Sequence, residues 1–214
     1  MTPEERVHRL VKEGSVAADE GERLLAAMKQ ASARSLLAQL FNPFERFGGG
    51  TAAVIGAIVS IASLGVSRLG VRFDGLLDLH FTSAVPPLRT SIAEQIACWI
   101  VPALCFWGYA RTQSRHVRLI DFVGSIGLAR LPLMLAGLVL FPLAPSHISI
   151  PPKPTFALLA LVFLTLGFVA ANITLLYNGF KNSSGLKGTK LVAGFVGLLI
   201  VGEALSKVVL LILS

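Results

Sequence analysis

Long apolar runs dominate the chain after residue 50, and a charged, amphipathic stretch precedes them. Five of these runs are close to the 20 or so residues that a helix needs to cross a bilayer core. A four-span alternative removes the first run, because Arg68 and several glycines weaken its end. The pattern predicts an all-α polytopic bundle of five transmembrane helices. The predicted spans are about 50–70, 91–110, 119–143, 155–178 and 190–213.

The pattern before the first span predicts two small elements. Residues 1–30 read as a helical hairpin, with an N-cap at Thr2 and a helix end at Gly14. Two short helices bury too little surface to be stable alone, so we expect the hairpin to self-associate, bind a partner or rest on the membrane. Residues 31–49 form an amphipathic linker, and residues 50–214 form the membrane domain.

Charge predicts the orientation of the chain. Only 14% of the residues are charged, against about 25% in average soluble domains. Thirteen Lys and Arg lie before the first span and in the loops on the same side, and four lie on the other side. The richer side is expected to be cytoplasmic, which places the N-terminus inside and the C-terminus outside. We read the net charge of +7 as an orientation signal rather than as a nucleic-acid-binding surface. Residues 1–14 have no apolar core, so no cleavable signal peptide is expected.

The segment between the first two spans, VRFDGLLDLHFTSAVPPLRT, is too polar to cross a membrane. Its apolar residues fall on one helical face, which predicts a short helix on the outer membrane surface. Asp74, Asp78 and His80 are a conceivable metal-ligand set. On a helix the third ligand faces away from the other two, so a solvated face is predicted and no metal site.

Four ionisable residues lie inside the predicted spans, where such residues are functional candidates by default. At 1.5 Å per residue, Arg130 and Glu203 both lie near the middle of the core, and Glu94 and Lys207 near its outer boundary. The equal depths predict two pairs, Arg130 with Glu203 and Glu94 with Lys207. Glu203 and Lys207 are also four residues apart and could pair with each other.

Two prolines within the spans predict kinks. Pro102 and Pro132 each remove a backbone hydrogen bond and free a carbonyl group. Arg130 has five N–H donors and can bond such carbonyls as well as Glu203. A structural role for this intramembrane polar network is therefore expected. The alternative is an ion or proton path through Glu94, Arg130 and Glu203.

Enzyme chemistry finds no support in the pattern. HExxH, GxSxG, GxGxxG and P-loop motifs are absent from the sequence. Cys98 and Cys105 lie too far apart on one helix for a disulfide. The chain is predicted to be non-enzymatic, with no cofactor.

Two parts of the sequence resemble known families. The stretch RVHRLVKEGSVAADEGERLLAAM resembles the SHOCT-like helical hairpins at the ends of bacterial membrane proteins. ACWIVPALCFWGYAR, a basic loop and RLIDFVGSIGLARLPLMLAGL resemble bacterial members of the Yip (Ypt-interacting-protein) family of five-span membrane proteins. In the second stretch the resemblance rests on the order Asp121, Phe122, Gly127, Ala129 and Pro132.

The resemblances imply a role as well as a fold. SHOCT-like hairpins are thought to mediate oligomerisation or docking. Some bacterial Yip relatives occur beside ABC exporters, whereas the Rab-GTPase role of eukaryotic relatives does not carry over to a chain with a bacterial hairpin. The expected function is a scaffold or accessory subunit of a complex in the bacterial inner membrane. A small transporter or ion-conducting protein is the alternative.

Overall fold

The computed structural model describes residues 3–28, 42–114, 116–143 and 156–213. It divides into two compact units, Met1–Pro43 and Phe44–Ser214. The N-terminal unit contains helix α1, Pro3–Lys12, and helix α2, residues 18–28. Gly14, with φ of +70°, lies in the turn that ends α1, and Ser15 N–H donates to the Leu10 carbonyl. This conformation favours glycine, as predicted for the end of the first helix.

The second unit is a bundle of long apolar helices. Five segments are long and apolar enough to cross a membrane: Gly49–Ser67, Leu88–Gln113, Leu119–Leu143, Leu159–Ser184 and Gly188–Leu213. The all-α, five-span prediction is confirmed, and the four-span alternative is wrong because Gly49–Ser67 qualifies as a span. The helices are α3 (Gly49–Ser67), α4 (Leu88–Gln113), α5 (Leu119–Ala129), α6 (Leu131–Leu140), α7 (Phe156–Ser184) and α8 (Gly188–Leu213), and short 3-10 helices cover Pro43–Glu45 and Phe141–Leu143.

The third span is broken at Arg130. This residue ends α5 and precedes α6, and Pro132 lies in the first turn of α6. Proline is tolerated there because the first N–H groups of a helix have no intrahelical acceptor. Pro102, in contrast, lies inside the continuous helix α4.

Small residues bring α3 against α5. Ala52, Gly56 and Ser60 are buried, as expected for a small-residue packing face. A Cβ on Gly56 would lie 2.8 Å from the Cα of Gly127, and a Cβ on Gly127 would lie 2.7 Å from Cε2 of Trp99. The two backbones therefore touch where no side chain fits.

The segment after α3 folds differently from the prediction. Strand β1 (Val71–Arg72) pairs antiparallel with strand β2 (His80–Phe81), with Val71 opposite Phe81. We call residues 71–81 the inserted hairpin. Val71, Phe73 and Leu76 are almost completely buried, at 0–1% exposure. The predicted surface helix is wrong, because its apolar residues pack within the bundle instead of facing lipid along one side.

The inserted hairpin distinguishes the two ends of the bundle. The β-hairpin end is where α3 ends and α4 begins, and the basic end is where α3 begins and α4 ends. Leu76 belongs to the main core, together with Phe106 and Phe122. Leu76 and Pro102 both lie within 3.6 Å of where a Cβ on Gly202 would stand. Pro102 is near the middle of α4, so the tip of the hairpin reaches the centre of the bundle.

Candidate functional site

Glu94 is a fully buried carboxylate on α4, with 0% exposure. Arg72 Nε donates to its Oε1 at 2.6 Å, and Arg72 Nη2 also pairs with that oxygen. The backbone N–H of Phe73 donates to Oε2 at 3.4 Å. The predicted pairing of Glu94 with Lys207 is wrong, because the inserted hairpin brings its own arginine to Glu94.

Arg130 is also buried, at 3% exposure, and it reaches α4 rather than α8. Its Nη2 donates to Gln95 Oε1 at 2.8 Å. Nε and Nη1 have no hydrogen-bond partner among the described residues. The predicted Arg130–Glu203 pair is therefore wrong, and so is the expectation that the free donors bond carbonyls of the kinked helices. Equal depth fixes only the height of two residues, whereas the direction in which each helix points its side chain decided the partner.

Glu203 on α8 binds the inserted hairpin. Leu77 N–H donates to Glu203 Oε2 at 3.0 Å, and Lys207 Nζ lies 3.4 Å from Oε1. The pairing of Glu203 with Lys207 that the four-residue spacing allowed is present. A Cβ on Gly75 would lie 2.7 Å from Glu203 Oε2, so the carboxylate rests directly on the hairpin backbone.

Two further side chains of the spans bond to carbonyl groups of the inserted hairpin. The Cys98 thiol donates to the Phe73 carbonyl at 3.3 Å, and Asn172 Nδ2 donates to the Leu76 carbonyl at 3.3 Å. The sequence analysis considered Cys98 only for a disulfide and missed Asn172 and Gln95. The signal in the sequence was an amide side chain within an apolar run. Such a residue is a candidate for a buried polar contact, as a charged residue is.

These contacts all satisfy backbone groups of the inserted hairpin. A non-helical segment inside a membrane bundle has backbone groups that neither water nor lipid can bond. Side chains from α4, α7 and α8 supply the missing hydrogen-bond partners. Burial of a backbone group or of a polar side chain without such a partner is costly. The polar residues of the spans thus hold the inserted hairpin in place. The residues that do so are Glu94, Cys98, Asn172 and Glu203.

Asp74, Asp78 and His80 come together in the hairpin. One potential ligand atom from each lies within 4.8 Å of the others, so the reason for excluding a metal, the helical geometry, is wrong. Within the cluster His80 Nδ1 lies 3.2 Å from Asp74 Oδ1, and Lys207 on α8 pairs with Asp78 through its Nζ.

The basic end has a simpler polar arrangement. Arg118 Nε and Nη2 donate to the two oxygens of Asp121 at 3.0 and 2.7 Å. The hydrogen bond to this carboxylate raises the pKa of Arg118. Ser183 Oγ donates to the Asp121 carbonyl at 3.1 Å and so connects α7 to the start of α5. Arg115, which precedes Arg118 in the same basic loop, lies outside the described residues.

Comparisons with protein-family models, with curated proteins and with solved structures find no match for this chain. The site is therefore interpreted from its own geometry.

Proposed function

We propose that the protein is a non-enzymatic scaffold or accessory subunit of a complex in the bacterial inner membrane. The observation that supports this proposal best is the use of the ionisable residues of the spans. Glu94 is buried and paired with Arg72, and Glu203 bonds the hairpin backbone and Lys207. Charges committed to partners within the bundle serve its architecture, whereas a transported ion needs groups that it can reach.

We further propose that the membrane domain is a Yip-like domain and that residues 1–30 are a SHOCT-like docking hairpin. The support is the sequence resemblance together with the five-span count. The described part of the N-terminal unit exposes apolar side chains, with Leu10 at 37% and Leu24 at 43%. A second copy or a partner such as an ABC exporter would cover them.

The orientation belongs to the same proposal. Arg111, Arg118, Lys181, Lys187 and Lys190 all lie at or near the basic end. The positive-inside rule puts this end in the cytoplasm. Single cysteines at Lys187 and at Ala84, in a chain without Cys98 and Cys105, should be labelled by a membrane-impermeant maleimide from opposite sides. Labelling of both from one side would refute the span count, and labelling of position 187 from the outer side would refute the orientation.

Affinity purification from mild detergent tests the scaffold role. The full chain is expected to carry along a second membrane protein, and a chain without residues 1–30 is expected to insert but to lose that partner. The docking role would be contradicted if the full chain purified without any partner and had the same oligomeric state as the truncated chain. Mass spectrometry identifies whether the partner is an ABC exporter.

The alternative function, a small transporter, is favoured by one specific observation. Several buried polar atoms have no hydrogen-bond partner among the described residues, including Arg130 Nη1, Gln95 Nε2 and Asn172 Oδ1. Buried polar groups of this kind bind water in many proteins, and a chain of waters conducts protons. Proton flux into proteoliposomes that is lost in Glu203→Gln, but kept in Lys187→Gln, would favour transport over the scaffold role.

A further inference from the structure

A groove between α4 and α8 faces outward at the β-hairpin end. Its upper part, about 220 Å³, is lined by Arg72, Arg89, Thr90, Ala93, Leu210 and Leu213. Its lower part, about 330 Å³, continues from Arg89 and Ala93 past Ile96 to Ile100. The two parts share Arg89, Ala93 and Leu213, so they form one continuous groove.

The dimensions of the groove match one leaflet of a bilayer. From Arg89 to Ile100 is eleven residues along α4, or about 16 Å. Half of a hydrocarbon core is about 15 Å thick. The groove is therefore long enough to extend from the headgroup level to the bilayer midplane. Its lower walls are aliphatic, with Ile92 and Ile96 40% and 57% exposed.

The charge of the groove is concentrated at the headgroup level. Arg72 is one-third exposed and is neutralised by Glu94. Arg89 is exposed and has no ion-pair partner within the ranges that the structure describes. The first turn of α4 carries no acidic residue and no side-chain cap, so its N–H groups add to the positive potential. Among the described residues, the upper part of the groove thus carries one uncompensated positive charge, that of Arg89.

We propose that this groove binds an anionic phospholipid, with its phosphate beside Arg89 and Arg72 and one acyl chain along Ile96 and Ile100. A phosphodiester with an uncharged headgroup supplies the single negative charge that the upper groove lacks. A zwitterionic lipid brings an ammonium group that the unpaired Arg89 repels. The lipid closes the groove between α4 and α8 and holds α8 beside the hairpin that Glu203 supports.

Native mass spectrometry of the full, delipidated protein tests the proposal. The protein is titrated with dimyristoyl phosphatidylglycerol or with phosphatidylcholine of the same chains. Phosphatidylglycerol is expected to bind more tightly. Arg89→Gln should weaken its apparent affinity about fivefold, as typical for one arginine at a membrane surface, and leave phosphatidylcholine unchanged. Lys187→Gln removes the same charge from the basic end and should change neither affinity.

A second variant tests the apolar part of the groove. Ala93→Phe fills the junction of the two parts and should weaken both lipids, with a melting temperature that shows the protein still folds. The proposal would be overturned if Arg89→Gln preferred phosphatidylglycerol over phosphatidylcholine as strongly as the unchanged protein does. Full competition by millimolar inorganic phosphate would also overturn it, because the acyl chain would then contribute nothing. So would a dimer that Ala93→Phe abolishes without any lipid selectivity, since a second copy would then fill the groove.

Discussion

The two ends of the membrane bundle are held together by different means. At the basic end the helices meet through glycine contacts and through an aromatic cluster in which the Phe106 and Phe180 rings are 5.2 Å apart at nearly a right angle. At the β-hairpin end a non-helical segment enters the bundle, and carboxylate, amide and thiol side chains bond its backbone. Close packing of helices relies mainly on small and aromatic residues, whereas inserted backbone needs polar residues inside the spans.

Breaking the polar contact with the most buried charge should have the largest effect. Glu94→Ala leaves the buried Phe73 N–H without its acceptor and the one-third-exposed Arg72 without its ion-pair partner. We expect a loss of about 3–5 kcal/mol in the free energy of unfolding, measured by denaturation in detergent. Replacing both partners, Arg72→Met with Glu94→Leu, should recover a large part of this loss. If Glu94→Ala melts like the unchanged protein, the inserted hairpin does not depend on this contact.

A second experiment addresses the packing of the glycine contact toward the basic end. Gly56→Ala puts a methyl group against the backbone of Gly127, which cannot move away without separating α3 from α5. Overpacking of this kind costs about 1–3 kcal/mol. Gly65→Ala on the same helix is the matched control, because its Cβ would meet nothing within 4 Å. Equal melting temperatures for the two variants would show that the close approach is not a source of stability.

Double-mutant cycles test whether Arg130 interacts with Gln95, its observed partner, or with Glu203, the partner predicted from depth. Arg130→Ala and Gln95→Ala should be coupled by about 1 kcal/mol, since each removes the same hydrogen bond. Arg130→Ala and Glu203→Ala should add within about 0.5 kcal/mol. Unfolding free energies of the four chains in each cycle give the coupling. Strong coupling to Glu203 and none to Gln95 would contradict the arrangement described here.

The exposed ion pair of Lys207 should matter least. Its side chain is 47% exposed and pairs with Asp78, which is 38% exposed. Exposed pairs contribute about 0–1 kcal/mol, so Lys207→Met should shift the melting temperature only slightly, and less at high salt. A loss as large as that of Glu94→Ala would mean that the outer part of the inserted hairpin is as well shielded from water as its buried part.

The sequence by itself determined the number of spans, the helical hairpin before them and the ionisable residues within the spans. These follow from local properties: the length of apolar runs, the φ preference of Gly14 and the cost of burying Glu94, Arg130 and Glu203. Helical periodicity also places Ala52 and Gly56 on one side of α3, where small residues allow close packing.

The tertiary structure alone decided the partners. Depth along a helix placed Arg130 level with Glu203, but the rotation of each helix and the insertion of residues 71–81 gave Arg130 to Gln95 and Glu203 to Leu77. The same insertion turned a predicted surface helix into a buried β-hairpin and gathered Asp74, Asp78 and His80. Local pattern cannot reveal this, because the acceptors and donors that stabilise the hairpin lie on α4, α7 and α8, as far as 126 residues away along the chain.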